Sequence, residues 1–178
     1  MHHRILSLLL AGGLLLFFVG TAQAQDDMAD ALKFNEAIVN ANKRLEMIGE
    51  KFGRQIAMAL SGKPNDIANV KKGYAEVQKV LKSVQADMKK LADEIPDSAE
   101  AKEFYQAHQK FLKGQERMVK VEFQQIVDVV SDTTLDADEK LEKIKEILVS
   151  VEKIEQADLK VLQAAQRKFA KKHGIILK

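Results

Sequence analysis

Beyond its lysines and carboxylates, the chain carries little that could do chemistry, and most of that lies on helix-like stretches. His108, Gln115 and Glu122 fall seven apart, which on a helix places them along one face. Glu155 and Asp158 interrupt another stretch that is otherwise apolar on one side. Counting back from the turn between these stretches sets His108 level with about Asp158. One reading is therefore a partly buried His108–Asp158 pair that fixes register at some cost in stability. The other is a small rotation that leaves both groups in water, and the rarity of buried charge makes this the expected one.

Metal and covalent chemistry find less. Outside the first 24 residues the histidines are His108 and His173, far apart in the chain. The Glu-x-x-His spacing that a carboxylate-bridged di-iron bundle needs on two helices is absent. Asp132, Thr134, Asp136 and Asp138 have the alternation of a calcium loop. Its sixth place is Ala137 instead of glycine and its twelfth Lys143 instead of glutamate, so helix capping explains these acids better. With no cysteine there is no thiol nucleophile, thiolate metal site, disulfide or covalently attached c-type haem. No serine stands in a Gly-x-Ser-x-Gly elbow, and there is no glycine-rich phosphate loop. No catalytic residue, metal ligand or cofactor is assigned on these grounds. A net charge of +2, with basic residues spread among 26 acids, excludes a nucleic-acid stripe, and two tyrosines are too few for a stacking platform.

The elements that would hold these groups are easier to read. Ile67, Val70, Tyr74, Val77, Leu81, Val84, Met88, Leu91 and Ile95 alternate three and four apart, an unbroken apolar seam on one helix. Phe34, Ile38, Ala41, Leu45, Ile48, Phe52, Ile56 and Ala59 mark a second stripe upstream. Phe104, Phe111, Leu112, Met118, Val119, Phe123, Ile126 and Val130 mark a third, and Leu141, Ile144, Leu148, Val151, Leu162, Ala165 and Phe169 a fourth. Asp26 or Asp27, Pro64, Asp97 or Ser98, and Asp136 with Glu139 three later are the start signals. Ser61-Gly62, Ile95-Pro96, Ser131 to Thr134 and Gly174 are the stops. Ile175, Ile176 and Leu177 form an apolar tail able to fold back. These signals predict helices over about 27–61, 64–95, 98–131 and 136–173. Each would be roughly 45 to 55 Å long. The fold class is all-α, an antiparallel up-down-up-down four-helix bundle, because short turns force each helix back along the last. Two long hairpins paired between chains would bury the same stripes, with the monomer the expected form.

Gly49 and Gly53 lie inside the first helix, where each costs up to about 1 kcal/mol relative to alanine. Gly73 in the second helix falls at nearly the same height. A gap admitting a ligand is one reading. Close approach of two backbones, or room for Phe52 or Tyr74, is the expected one.

Residues 1–24 read as a secretory signal peptide: Arg4, an apolar run from Ile5 to Val19, and Ala22-Gln23-Ala24 ahead of cleavage between Ala24 and Gln25. Retention as an anchor is the competing reading, but the run falls short of the roughly 20 residues a span requires. The remaining domain, 25–178, would reside in the periplasm or outside the cell.

An exported bundle with Met28 near the mature N-terminus and His173 near the C-terminus resembles the cytochrome b562 family. The stretch Pro96-Asp97-Ser98 followed by Lys102-Glu103-Phe104 is similar to the opening of that family's third helix. The resemblance implies a four-helix bundle holding b-type haem between Met28 and His173 and transferring electrons. The helices here are longer than that family's, Met28 is only the fourth mature residue, and His173 directly precedes Gly174. The expected function is therefore an exported, non-catalytic bundle with a structural or binding role in the cell envelope and no cofactor, its partner an unidentified envelope protein or a second copy. A haem-binding electron carrier is the first alternative. A bundle that opens on membrane surfaces is the second.

Overall fold

The computed structural model describes residues 22–61 and 66–177, with side chains from Asp27 to Ser61 and from Ile67 to Leu177. These residues are all-helical and form four helices. They are α1 (Ala22–Leu60), α2 (Asp66–Leu91), α3 (residues 99–131) and α4 (Ala137–Lys172). Helix α3 is α-helical over Ala99–Met118, widens into a π-helical turn over Val119–Phe123, and resumes over Gln124–Ser131. The signal segment up to residue 21 and the Gly62–Pro64 turn lie outside the described residues, as do the side chains of Ala24 and Gln25.

Each helix buries its expected stripe. Val70, Val77, Leu81, Val84, Met88 and Leu91 of the α2 seam are buried, whereas Ile67, at its first turn, is 40% exposed. One core cluster draws on all four helices and includes Ile38, Leu81, Phe111 and Leu162. Burying a side chain of this size stabilises the fold by about 1.5 to 3 kcal/mol, the term that must offset chain entropy in a protein without disulfides.

Pairs across the helices record how they lie. Lys33, Arg44 and Lys51 of α1 bond Glu94, Asp87 and Glu76 in turn, so the numbering of the second helix falls as that of the first rises. Ser98 at the cap of α3 and Glu103 and Gly114 within it meet His173 just past α4 and Lys168 and Asp158 within it, in the same falling order. Phe34 and Phe52 of α1 touch Phe104 and Phe123 of α3, both numbers rising together.

The helix ends follow local chemistry. Helix α1 already contains Asp26 and Asp27 within its described span, so neither aspartate caps it. Helix α2 tightens into a 3₁₀ turn at Ala92–Glu94 and gives way to extended backbone at Ile95, where Pro96 opposes helical geometry. Ser98, and not Asp97, caps α3: its Oγ accepts from Ala101 N–H, while Asp97 bonds Lys102. Asp136 and Glu139 form the expected reciprocal capping box, with Asp136 Oδ1 accepting from Asp138 and Glu139 N–H and Glu139 Oε2 accepting from Asp136 N–H. Asp136→Ala is expected to cost about 1 kcal/mol, read as a lower urea midpoint with unchanged slope. Helix α4 stops at Gly174, whose φ of +66° is left-handed, and Ile175 N–H returns to the Ala170 carbonyl at 2.8 Å. Ile175 is thereby buried and Leu177 packs on the core, while Ile176 is exposed.

Candidate functional site

The three glycines part company. A Cβ at Gly73 would stand 1.8 Å from Gln55 Oε1 and 3.2 Å from Phe52 Cδ2, so that glycine makes room for neighbours, as expected. Gly49 and Gly53 instead line a cavity of about 420 Å³ among all four helices. The expectation of close approach fails for these two. They face open space, because a helix turn without side chains leaves the opposite wall nothing to pack on.

Two polar rows explain where this space lies. Asn35, Asn42 and Gly49 fall seven apart on α1, and His108, Gln115 and Glu122 seven apart on α3. Asn42 and His108 meet in the core: Nε2 stands 2.9 Å from Asn42 Oδ1, and both residues are buried. Seven residues further along, the corresponding pair is Gly49 and Gln115, and both line the cavity. Where α3 carries its next side chain, α1 has none. The π-helical turn follows at once and contributes Val119 and Phe123 to the wall. Such turns insert one extra residue into a helix and are frequent at functional sites.

The seam between α1 and α4 is closed at one end and open at the other. Phe34 packs on Phe169, and Gln166 Nε2 donates to Asn35 Oδ1 at 2.9 Å. Toward the other end, Ile48, Gly49 and Gly53 confront exposed Lys145, Val149 and Glu152 across the mouth. The interior is apolar, with Leu45, Ile56, Val77, Leu81, Ile126 and Leu148 among its walls. Polar groups sit at its margins. Lys145 Nζ is held by Glu142 at 2.6 Å, and Glu152 accepts from Gln156 Nε2. Glu155 is half-buried, and burial raises its carboxyl above the usual range; Gln115 beside it pulls partly back and Glu152 adds repulsion.

Neither reading holds for His108: the pair with Asp158 is not made, and the histidine, expected to stay in water, is buried. His108 is fully buried against Asn42 and stacks near Phe111, while Asp158 lies beside Gly114, where a Cβ would come 2.1 Å from its Oδ2. Gly114 is six residues along α3 from His108, roughly 9 Å of helix axis. Counting from the turn misjudged the register, and the histidine escapes water by taking an amide partner from α1. Its Nδ1 has no hydrogen-bond partner among the described residues, and burial pushes its pKa down to about 4. Glu122, in the π-helical turn, is likewise buried with Oε2 unpartnered among them.

Met28 and His173 do reach the same end, with Met28 Cε 3.5 Å from where a Cβ of Gly174 would stand. The residues there do not fit a haem between them. His173 Nε2 and Ser98 Oγ are hydrogen-bonded at 3.1 Å, and the ring stands 4.6 Å from Phe169. Burial, with Lys172 nearby, holds its pKa below the usual value. Phe34, Phe104 and Phe169, mutually in contact and almost fully buried, fill the core that a macrocycle would need. In the suspected calcium loop, Asp132 Oδ1 accepts from the amide and hydroxyl of Thr134, and Asp136 caps α4. No group of three or more metal-ligating side chains occurs among the described residues, and none of their helices is long and apolar enough to cross a membrane. In comparisons with known proteins, no family model, curated protein or solved structure matches the chain.

Proposed function

We propose that this protein is an exported, non-catalytic binding protein of the cell envelope, an antiparallel up-down-up-down four-helix bundle that takes an apolar small molecule into the cavity beside Gly49 and Gly53. The cavity carries the reading. Its volume lies within the span usual for small-ligand sites, its walls are apolar, and a few polar groups converge at its margins. The falling and rising order of cross-helix pairs supports the up-down arrangement. Export rests on the leader-like first 24 residues. Four stripes that already close one core support a monomeric form. The non-catalytic reading rests on the want of a nucleophile beside a base.

The test is a cavity-filling variant. The uncharged fluorophore N-phenyl-1-naphthylamine should bind the purified protein with a blue shift and a saturable signal. Gly49→Leu should abolish that signal while raising stability by roughly 1 to 2 kcal/mol, since it removes a helix glycine and buries apolar surface. Equal dye binding by the variant would place the site elsewhere and remove the proposal.

A further inference from the structure

The shape and the charge of the cavity narrow what it can hold. Its lining runs from Leu45 to Ile56 on α1 and from Lys145 to Glu155 on α4, roughly 15 Å of helix on each side. The lining thus makes an elongated slot along the two helices. A single unbranched chain can lie along it.

The two ends of the slot differ. Lys145 is exposed, and its ammonium is already satisfied by Glu142. At the other end Glu152 and Glu155 stand one turn apart on α4, with Gln115 of α3 facing in. Neither of these glutamates enters an ion pair among the described residues. Glu152 is exposed and solvated, but Glu155 is half-buried with no cation to replace the water it has lost. The unmet electrostatic demand of the cavity is for positive charge, at one end only. A carboxylate head would be repelled there, and at the Lys145 end would have to compete with Glu142.

Resting on the reading of this cavity as a ligand site, we propose that its occupant is a single-chain amphiphile ending in a protonated amine, its chain along α1 and α4 and its ammonium at Glu155. The ammonium donates to the Glu155 carboxylate and to Gln115 Oε1, while the chain displaces water from Leu45, Ile48, Phe52, Leu81 and Leu148. A charge-assisted hydrogen bond in a partly desolvated site adds discrimination that an alcohol of equal length cannot supply.

Displacement of N-phenyl-1-naphthylamine by dodecylamine, dodecanol and dodecanoate, each below the concentration at which it self-associates, tests this. The wild-type protein at neutral pH should bind the amine roughly tenfold to a hundredfold more tightly than the alcohol, and the carboxylate most weakly. Glu155→Gln, checked for unchanged helical circular dichroism, should bind the alcohol as before and lose the preference for the amine. Equal displacement by amine and alcohol, tighter binding of dodecanoate, or a preference that survives Glu155→Gln would each overturn the assignment of the head group. The binding reading itself would stand in those cases, because the dye and the alcohol still bind. If neither the dye nor any of the three chains binds wild type, the cavity is not a ligand site and both proposals fall. The ligand series on wild type decides the matter even if the variant does not fold.

Discussion

Phe169→Ala is expected to cost about 3 to 5 kcal/mol, the largest effect of any single truncation in the chain. The ring is fully buried where α1, α3 and α4 converge, 5.5 Å from both Phe34 and Phe104 and 4.6 Å from His173. Removing it deletes contacts on several sides at once. The neighbours are themselves large rings held by one another, so the space cannot collapse. A domain of this size is stable by roughly 5 to 15 kcal/mol, and the variant would sit near the edge of folding. Phe123→Ala supplies the contrast. That ring is only half-buried and already borders the open cavity, so truncation enlarges a space instead of creating one, and a loss nearer 2 kcal/mol is expected. Urea unfolding of both variants gives the comparison. Equal losses would mean that the cavity end is packed as tightly as the aromatic end.

That contrast between ends marks what the sequence could and could not reveal. The stripes were legible because apolar spacing of three and four has one physical solution, burial of one helix face. Asp136 with Glu139, and Gly174, were legible because capping geometry and positive φ admit few residue types. The core amides were not. Asn35 and Asn42 gave no signal, since an asparagine in a helix says nothing of whether a histidine waits opposite. His108 was placed correctly on its helix, yet its partner was sought among acids on α4. Electrostatics suggests an acid, but a neutral buried imidazole is served by an amide oxygen. The cavity was half legible: Gly49 and Gly53 marked a place without side chains, and identical spacing fits either a gap or a close contact. Nothing in the residue types around Val119–Phe123 announces the π-helical turn, which depends on how α3 meets its neighbours.

Acid should weaken the protein chiefly through His108. The ring is buried, Nε2–H donates to Asn42, Nδ1 finds no donor among the described residues, and burial lowers the pKa from 6.5 to about 4. Between those values the unfolded chain binds a proton that the folded chain refuses. Stability from this group is therefore fully present above about pH 6.5, falls as the pH drops through the window, and levels off below about 4. The total loss is about 3 kcal/mol, since each tenfold weakening of proton affinity on folding is worth roughly 1.4 kcal/mol. His173, also held below its usual value, acts in the same direction. Glu46 and Glu155, whose carboxyls burial raises, act in the opposite one: folded, they take up protons before the unfolded chain does. The whole-protein curve mixes all of these, so the difference between wild type and His108→Gln isolates the histidine. The variant keeps a donor for Asn42 and has nothing to titrate. Its stability should fall less than wild type's between pH 6.5 and 4, and the two curves should converge by about 3 kcal/mol across that window, whatever gap separates them at neutral pH. Parallel curves would mean that His108 takes up its proton while folded. The core around Asn42 would then have to admit water, and the division between a dry aromatic end and an open cavity would lose its boundary.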